Sequence, residues 1–210
     1  MPTLLNPGQR RQPKQLRSRL MVETIVEAAH QVFAEHGFEG ATTNQIAERA
    51  GISIGSLYQY FPNKDSLILD VQKRHHEDVL TTVKNAMQLS GMLPLRDAIR
   101  SVIAANLDMH LQSPKLHAAF EEWIPAESKL VDRDDFRQEM AAAIRTFLSQ
   151  RPEIMQEAPL DQTVFVIMNM VRSVMHASVR DQGSHVDRAK IIDTLTDSLL
   201  GCLQPVCVSR

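Results

Sequence analysis

Apolar residues recur along most of this chain at the three- and four-residue spacing of amphipathic helices. From about Arg19 to His36, Val22, Ile25, Val26, Ala29, Val32 and Phe33 make one stripe, and Gly37 is placed to end that helix. Thr42 and Gln45 then stand at the spacing of a capping box, ahead of Ile46, Ala47 and Ala50. Gly51 supplies the left-handed residue that stops this short helix, and Ser53 caps another almost at once. Ile54, Leu57 and Phe61 are the expected apolar side of the second helix. Two helices so close in sequence bury both faces only by crossing steeply, and Ala47 is small enough to permit it. The pattern predicts a helix-turn-helix whose second helix projects outward.

Periodicity resumes at Lys64, after Pro62 and Asn63. Leu67, Ile68, Val71, Val79, Thr82, Val83 and Ala86 carry one long helix to about Leu89, ended by Ser90-Gly91. Pro94 restarts a helix with Ile99, Val102, Ile103, Leu107 and Leu111 inside. Ser113-Pro114 opens a short helix to Trp123-Ile124, Pro125 separates it from a helix over 128–149, and Pro152 and Pro159 punctuate the next loop.

The final two helices carry wide seams. Leu160, Val164, Ile167, Met168, Val171, Val174 and Met175 form one; Gly183 breaks it, and Ile191, Ile192, Leu195, Leu199 and Leu203 form another. Such seams are either core or a subunit interface. Two in succession at the chain end favour a two-fold four-helix bundle, with Val164, Ile167, Val171, Val174, Ile192, Leu195 and Leu199 expected at the interface.

The outside of the helix over 53–60 offers Ser56, Tyr58, Gln59 and Tyr60, followed by Lys64, and none of these is acidic. Hydroxyls, an amide and an ammonium are the groups that contact phosphates and base edges. Charge distribution agrees. The net charge of −2 divides into +2 over residues 1–64, from seven Lys/Arg and five Asp/Glu, and −4 over the rest, from sixteen and twenty. A mildly basic head on an acidic body orients the head toward a polyanion. Arg10, Arg11, Lys14, Arg17 and Arg19 all precede the first acidic residue, Glu23. With Pro2, Pro7 and Pro13, residues 1–17 read as a disordered arm, either tracking phosphates or simply solvated.

The stretch AAHQVFAEHGFEGATTNQIAERAGISIGSLYQYFPNKDSL resembles the DNA-binding domain of the TetR family of bacterial transcriptional regulators. Phe33, Gly37, Phe38, Thr42, Thr43, Ile46, Ala47, Ala50, Gly51, Gly55, Leu57, Tyr58, Tyr60, Phe61, Lys64 and Leu67 carry the resemblance, over about the first third of the chain. It implies phosphate contacts at Thr42 and Thr43 and a recognition helix over Ser53, Ile54, Gly55, Ser56, Tyr58, Gln59 and Tyr60. Lys64, which opens the following helix, and Arg17 and Arg19, at and just after the end of the arm, are expected DNA contacts as well. The family position of Tyr60 is often His, a small departure that keeps a donor. Pairing through the last two helices is implied as well, as is a small-molecule pocket. Met109, His110, Phe120, Trp123, Met140, Phe147, Phe165 and Met168 are candidates for lining that pocket, although a plain core is the better reading for any single one of them. Trp123 beside Glu121 and Glu122 suits a cationic or amphipathic ligand.

Other chemistries find no support. His75 and His76 are adjacent, and Pro114 separates His110 from His117, so no metal site is expected. Phosphate-loop, nucleophile-elbow and zincin motifs are missing from the sequence, so no catalytic residue and no cofactor is assigned. Cys202 and Cys207 suit reduced thiols in a cytoplasmic protein, and no apolar run approaches the ~20 residues of a membrane span. The expectation is an all-α protein: an arm over 1–17, a three-helix helix-turn-helix domain over 18–64 and a larger helical effector-binding and dimerisation domain over 65–210. Its partners would be a double-stranded DNA operator, an apolar or amphipathic effector and a second copy. The alternative is a helical small-molecule-binding protein or enzyme with a non-functional helix-turn-helix.

Overall fold

A computed structural model describes residues 16–123, 128–155, 159–180 and 187–204, with the backbone alone at 121–123 and 128–134. The chain is all-α, and the described residues form α1 (Leu16–Gly40), α2 (Thr43–Arg49), α3 (Ile54–Tyr60), α4 (Lys64–Leu89), α5 (Leu95–Leu111), α6 (Pro114–Trp123), α7 (Ser128–Ser149), α8 (Leu160–Arg180) and α9 (Arg188–Leu203). The arm expected over 1–17 falls outside them up to residue 15, while Leu16 and Arg17 already belong to α1. Pro125, Gly183 and Cys207 also lie outside. The chain divides into two compact units within α4, after His76, and α6 belongs to the first. That division lies beyond Lys64, where the sequence placed it.

In the first unit, α1 breaks where expected, at Gly37 with φ +71°. α2 starts on a complete capping box: Gln45 N–H donates to Thr42 Oγ1 at 3.2 Å and Thr42 N–H to Gln45 Oε1 at 2.8 Å. It ends in a Schellman motif, in which Ile52 N–H bonds Ala47 O and Gly51 N–H bonds Glu48 O, each at 3.0 Å. Gly51 takes φ +68° to close it. Asn63 caps α4, its Oδ1 accepting from Ser66 N–H at 2.8 Å. Ile25, Ala29, Val32 and Phe33 of α1, Ile46 of α2, Leu57 of α3, and Phe61, Leu67, Ile68 and Val71 make one buried core, joined by Leu116 and Phe120 of α6. Full burial of each large side chain stabilises by about 1.5–3 kcal/mol.

In the second unit, α5 packs on α8 and α9. Arg96 pairs with Asp197 at 2.6 Å, Arg100 with Asp193 at 2.8 Å and Arg188 with Asp108 at 2.8 Å, which sets α5 antiparallel to α9 in a fixed register. These pairs are exposed, so each is worth little in stability. The core beneath them holds Leu95, Ile99, Ile103, Leu107, Leu148, Val164, Ile167, Met175, Ile192, Leu195, Leu199 and Leu203. Arg151 is buried and satisfies three carbonyls of the α4–α5 turn: Ser90 at 3.0 Å, Gly91 at 3.1 Å and Leu93 at 2.8 Å. Its guanidinium also lies 4.4 Å from the centre of the Phe147 ring.

Candidate nucleic-acid interface

Only Leu57 of α3 is fully buried. Because that single residue and Phe61 anchor the helix, its other side is open: Ile54, Gly55, Tyr58 and Gln59 are exposed, with Ser56 and Tyr60 partly so. Ile54 differs from expectation. It was placed on the apolar side with Leu57, yet it is 36% exposed. The Schellman turn is the reason: it delivers Ile52 to the core ahead of α3, so Ile54 lies on the outward face.

The outward hydroxyls are locally organised. Ser53 Oγ accepts from Ser56 N–H at 3.1 Å and lies 2.8 Å from Ser56 Oγ, which caps α3 and orients both side chains. Thr43 Oγ1 lies 3.0 Å from Tyr58 Oη, so α2 and α3 present one joined pair of hydroxyls. Ser18 Oγ is 3.5 Å from Tyr60 Oη, at the limit of a hydrogen bond. Thr42 is exposed at the entry to α2, and Arg17 and Arg19 are exposed on the first turn of α1. Together these residues form an outward surface of hydroxyls, an amide and an isoleucine methyl face, with guanidinium groups nearby.

Lys64, half-buried, follows that surface at the start of α4. Its ammonium donates to Phe38 O at 2.6 Å and Ala41 O at 2.9 Å and lies 4.2 Å from the centre of the Phe38 ring. Arg49 spends its charge on Glu35 through two bonds of 2.6 and 2.7 Å. That hydrogen-bonded partner draws the Glu35 carboxyl below its ordinary range.

The effector candidates fall in both units. Met109, Met140 and Met168 pack into one cluster of the second unit with Val79, Val83 and Phe136. Phe147 lies in the neighbouring core under Arg151, whereas Phe165 is 60% exposed on α8. Phe120 is buried in the first unit, and the Trp123 side chain lies outside the described residues. His110 is buried on α5 with Nδ1 at 2.9 Å from Asn106 O, and burial pushes its pKa down. Within the first unit His75 of α4 and His117 of α6 meet edge to face, with ring centres 4.6 Å apart, beside Phe120. Reasoning from chain neighbours missed that pair, because only the α4–α6 approach creates it.

The expected dimer residues lie on α8 and α9. Val164, Ile167, Ile192, Leu195 and Leu199 are buried in the chain's own core, and Val171 and Val174 pack against it. Val171 and Val174 keep part of their surface exposed, and Phe165 and Val166 of α8 are exposed.

Comparison with known proteins agrees with this geometry. Residues 25–71 match the family model described as bacterial regulatory proteins, tetR family, and residues 94–203 match tetracyclin repressor-like, C-terminal domain. The chain is 32% identical over 91 residues to the HTH-type transcriptional regulator PksA of Bacillus subtilis, covering 43% of this chain and 44% of that protein. Its fold is similar to a putative TetR-family transcriptional regulator from Mesorhizobium loti, at a TM-score of 0.71 and 17% identity, covering 92% and 100% of the two chains. It is also similar to FadR from Bacillus subtilis in complex with stearoyl-CoA, at a TM-score of 0.63 and 16% identity, covering 88% and 98%. The chain spans less than half the length of the curated relatives it matches. With one family model on the helix-turn-helix and another over more than half of the chain, this protein belongs to the tetR family of bacterial regulatory proteins.

Proposed function

We propose that this chain is a sequence-specific DNA-binding transcription regulator, acting as a homodimer on a near-palindromic operator and answering to a small effector. The observation that carries the reading is α3: a helix held by one buried leucine, presenting Tyr58, Gln59 and Ile54 outward with no acidic side chain. Tyr58, Thr42 and Thr43, with Arg17 and Arg19, suit phosphates. Gln59 suits an adenine edge, and Ile54 suits a thymine methyl. Such a protein works in the cytoplasm, where the chromosome is, and no described helix is long and apolar enough to cross a membrane. Repression is the simpler sign of control, since occupancy of an operator alone achieves it; relatives include both a transcriptional repressor, AcnR, and a transcriptional activator, FasR.

For the effector, the methionine cluster of the second unit supports an apolar or amphipathic ligand, because Met109, Met140 and Met168 repack around varied shapes at low cost. The FadR relative held stearoyl-CoA, a ligand of that chemistry. For the dimer, the exposed Phe165 and Val166 of α8 are the surface that pairing would cover.

Selection of bound duplexes from a random-sequence pool, followed by titration against salt, tests the function. A recurrent inverted motif and a steep salt dependence are the expected result. No enrichment, with salt-independent binding, would leave the chain a helical ligand-binding protein with an idle helix-turn-helix.

A further inference from the structure

We propose that Asn106 of α5 is the polar anchor of an effector site in the second unit, its amide oxygen accepting a hydrogen bond from a neutral hydroxyl or amide on an otherwise apolar ligand. Asn106 is 8% exposed, and its Oδ1 is buried with no donor among the described residues within bonding distance. An acceptor taken out of water and left unmatched is costly, so folding alone gives no reason for an amide here rather than a leucine. His110, one turn further along α5, does not meet the need. Its Nδ1 lies 2.9 Å from the main-chain oxygen of Asn106, and because a carbonyl only accepts, the hydrogen on that nitrogen is spent on the backbone.

The surroundings define the ligand that this oxygen suits. Val102 and Met109, four residues before Asn106 and three after it, flank it on α5 and pack against Val79, Val83 and Met140. Ile99 and Ile103, on its other side, belong to the neighbouring core. The amide therefore stands on an apolar helix face between two apolar clusters. Val102, Met109, Phe136 and Met168 are each only partly buried, so the first cluster keeps apolar surface within reach of a ligand, and its methionines adapt to the shape that arrives. Among the described residues, the buried polar side chains of this unit are Ser90, Asn106, His110, Arg151 and Thr196. None is a carboxylate that could offset a cationic ligand. Nor is a cation there for an anionic one: the Arg151 guanidinium is spent on three carbonyls, and burial holds the pKa of His110 down. A charged ligand head would be buried without a partner, whereas a neutral donor needs only the amide oxygen.

This inference rests on the effector reading above, and the experiment separates the two. Wild-type protein and Asn106→Leu, which keeps the volume of the side chain, are titrated by calorimetry with octanol, with octyl methyl ether and with octanoate. Wild type is expected to bind octanol about tenfold more tightly than the ether, the worth of one hydrogen bond, and more tightly than octanoate. In Asn106→Leu that preference is expected to vanish through loss of octanol affinity. A wild type that binds octanol no better than the ether or octanoate, or a folded leucine variant that keeps the preference, overturns the anchor. If Asn106→Leu does not fold, the side-chain carbonyl carbon of Asn106 is followed by NMR in the wild type. A shift with octanol and not with the ether is expected; equal shifts overturn the proposal. Octanol is also added to wild type bound to a duplex that it selects, and weakened duplex binding is expected. A preference for octanol with duplex affinity unmoved upholds the anchor and defeats the effector reading, whereas binding of none of the three probes defeats both.

Discussion

Arg49 grips both carboxylate oxygens of Glu35, at 2.6 and 2.7 Å, and so ties the last turn of α2 to α1 just before its break at Gly37. The backbone carbonyl of the same Glu35 accepts from Lys115 Nζ of α6 at 2.7 Å. One residue thus receives both α2 and α6. Two cations fasten the helix-turn-helix to α1, Arg49 from the last turn of α2 and Lys64 from the start of α4.

The carboxyl of Glu35 is held below its ordinary value of 4.5, first by its hydrogen bond to Arg49 and then by that residue's charge. A depressed carboxyl contributes stability that is present above the unfolded value and lost as pH falls through the folded one. Glu35→Gln should therefore be less stable than wild type near pH 7, and the two should converge at pH values below 4.5. Both partners are exposed, so the gap is small. Urea midpoints measured across pH check it, and a gap that persists in acid would remove the pairing as its cause.

Gly51 holds φ +68° with open space where a side chain would project. Strain alone should then set the cost of Gly51→Ala, at about 1–2 kcal/mol for a left-handed alanine. Chemical denaturation measures it. A neutral substitution would mean that the turn relaxes, and the Schellman bonds of Gly51 and Ile52 would be lost with it.

Tyr58 and Gln59 are adjacent on α3 and should fail differently. Tyr58→Phe removes a hydroxyl joined to Thr43 and should weaken binding to all duplexes while leaving the selected motif unchanged. Gln59→Ala should relax one base position of the motif, at a cost of about 1–3 kcal/mol for the preferred base. Repeating the duplex selection with each variant distinguishes these outcomes; a changed motif with Tyr58→Phe would reverse the roles.

Arg151 is the buried hinge pin of the α4–α5 turn. Arg151→Met keeps the packing against Phe147 but leaves the carbonyls of Ser90, Gly91 and Leu93 without that donor. Unpaired acceptors cost about 1–3 kcal/mol each where water cannot reach them. A drop of more than about 2 kcal/mol in calorimetry is expected; a near-neutral result would show the turn to be well hydrated.

Leu195 and Phe165 separate folding from assembly. Leu195 is 4% exposed in the chain's own core, so Leu195→Asp should unfold the subunit. Phe165 is 60% exposed, so Phe165→Asp should leave helicity intact and lower the sedimentation coefficient to that of a monomer. A folded dimer of the Phe165 variant would place the two-fold interface on another face.

The local chemistry was legible in the sequence. The capping box of Thr42 and Gln45, the stops at Gly37 and Gly51 and the bounds of α4 through α9 depend on residues within a few positions of one another, and backbone geometry alone connects them. The helix-turn-helix was legible for the same reason. Its outward face was nearly so; Ile54 was misplaced because the Schellman turn hands the core position to Ile52. Tertiary structure decided what long side chains reach. A lysine's type says that it is a cation, but only the approach of residues 38–41 gives Lys64 its two carbonyl partners, and only the packing of α7's end against the α4–α5 turn gives Arg151 its three. Periodicity likewise shows that α8 and α9 have apolar faces without showing which partner covers them. Val164, Leu195 and Leu199 go to the chain's own core, because α5 lies against both helices and covers those faces with Leu95, Ile99, Ile103 and Leu107.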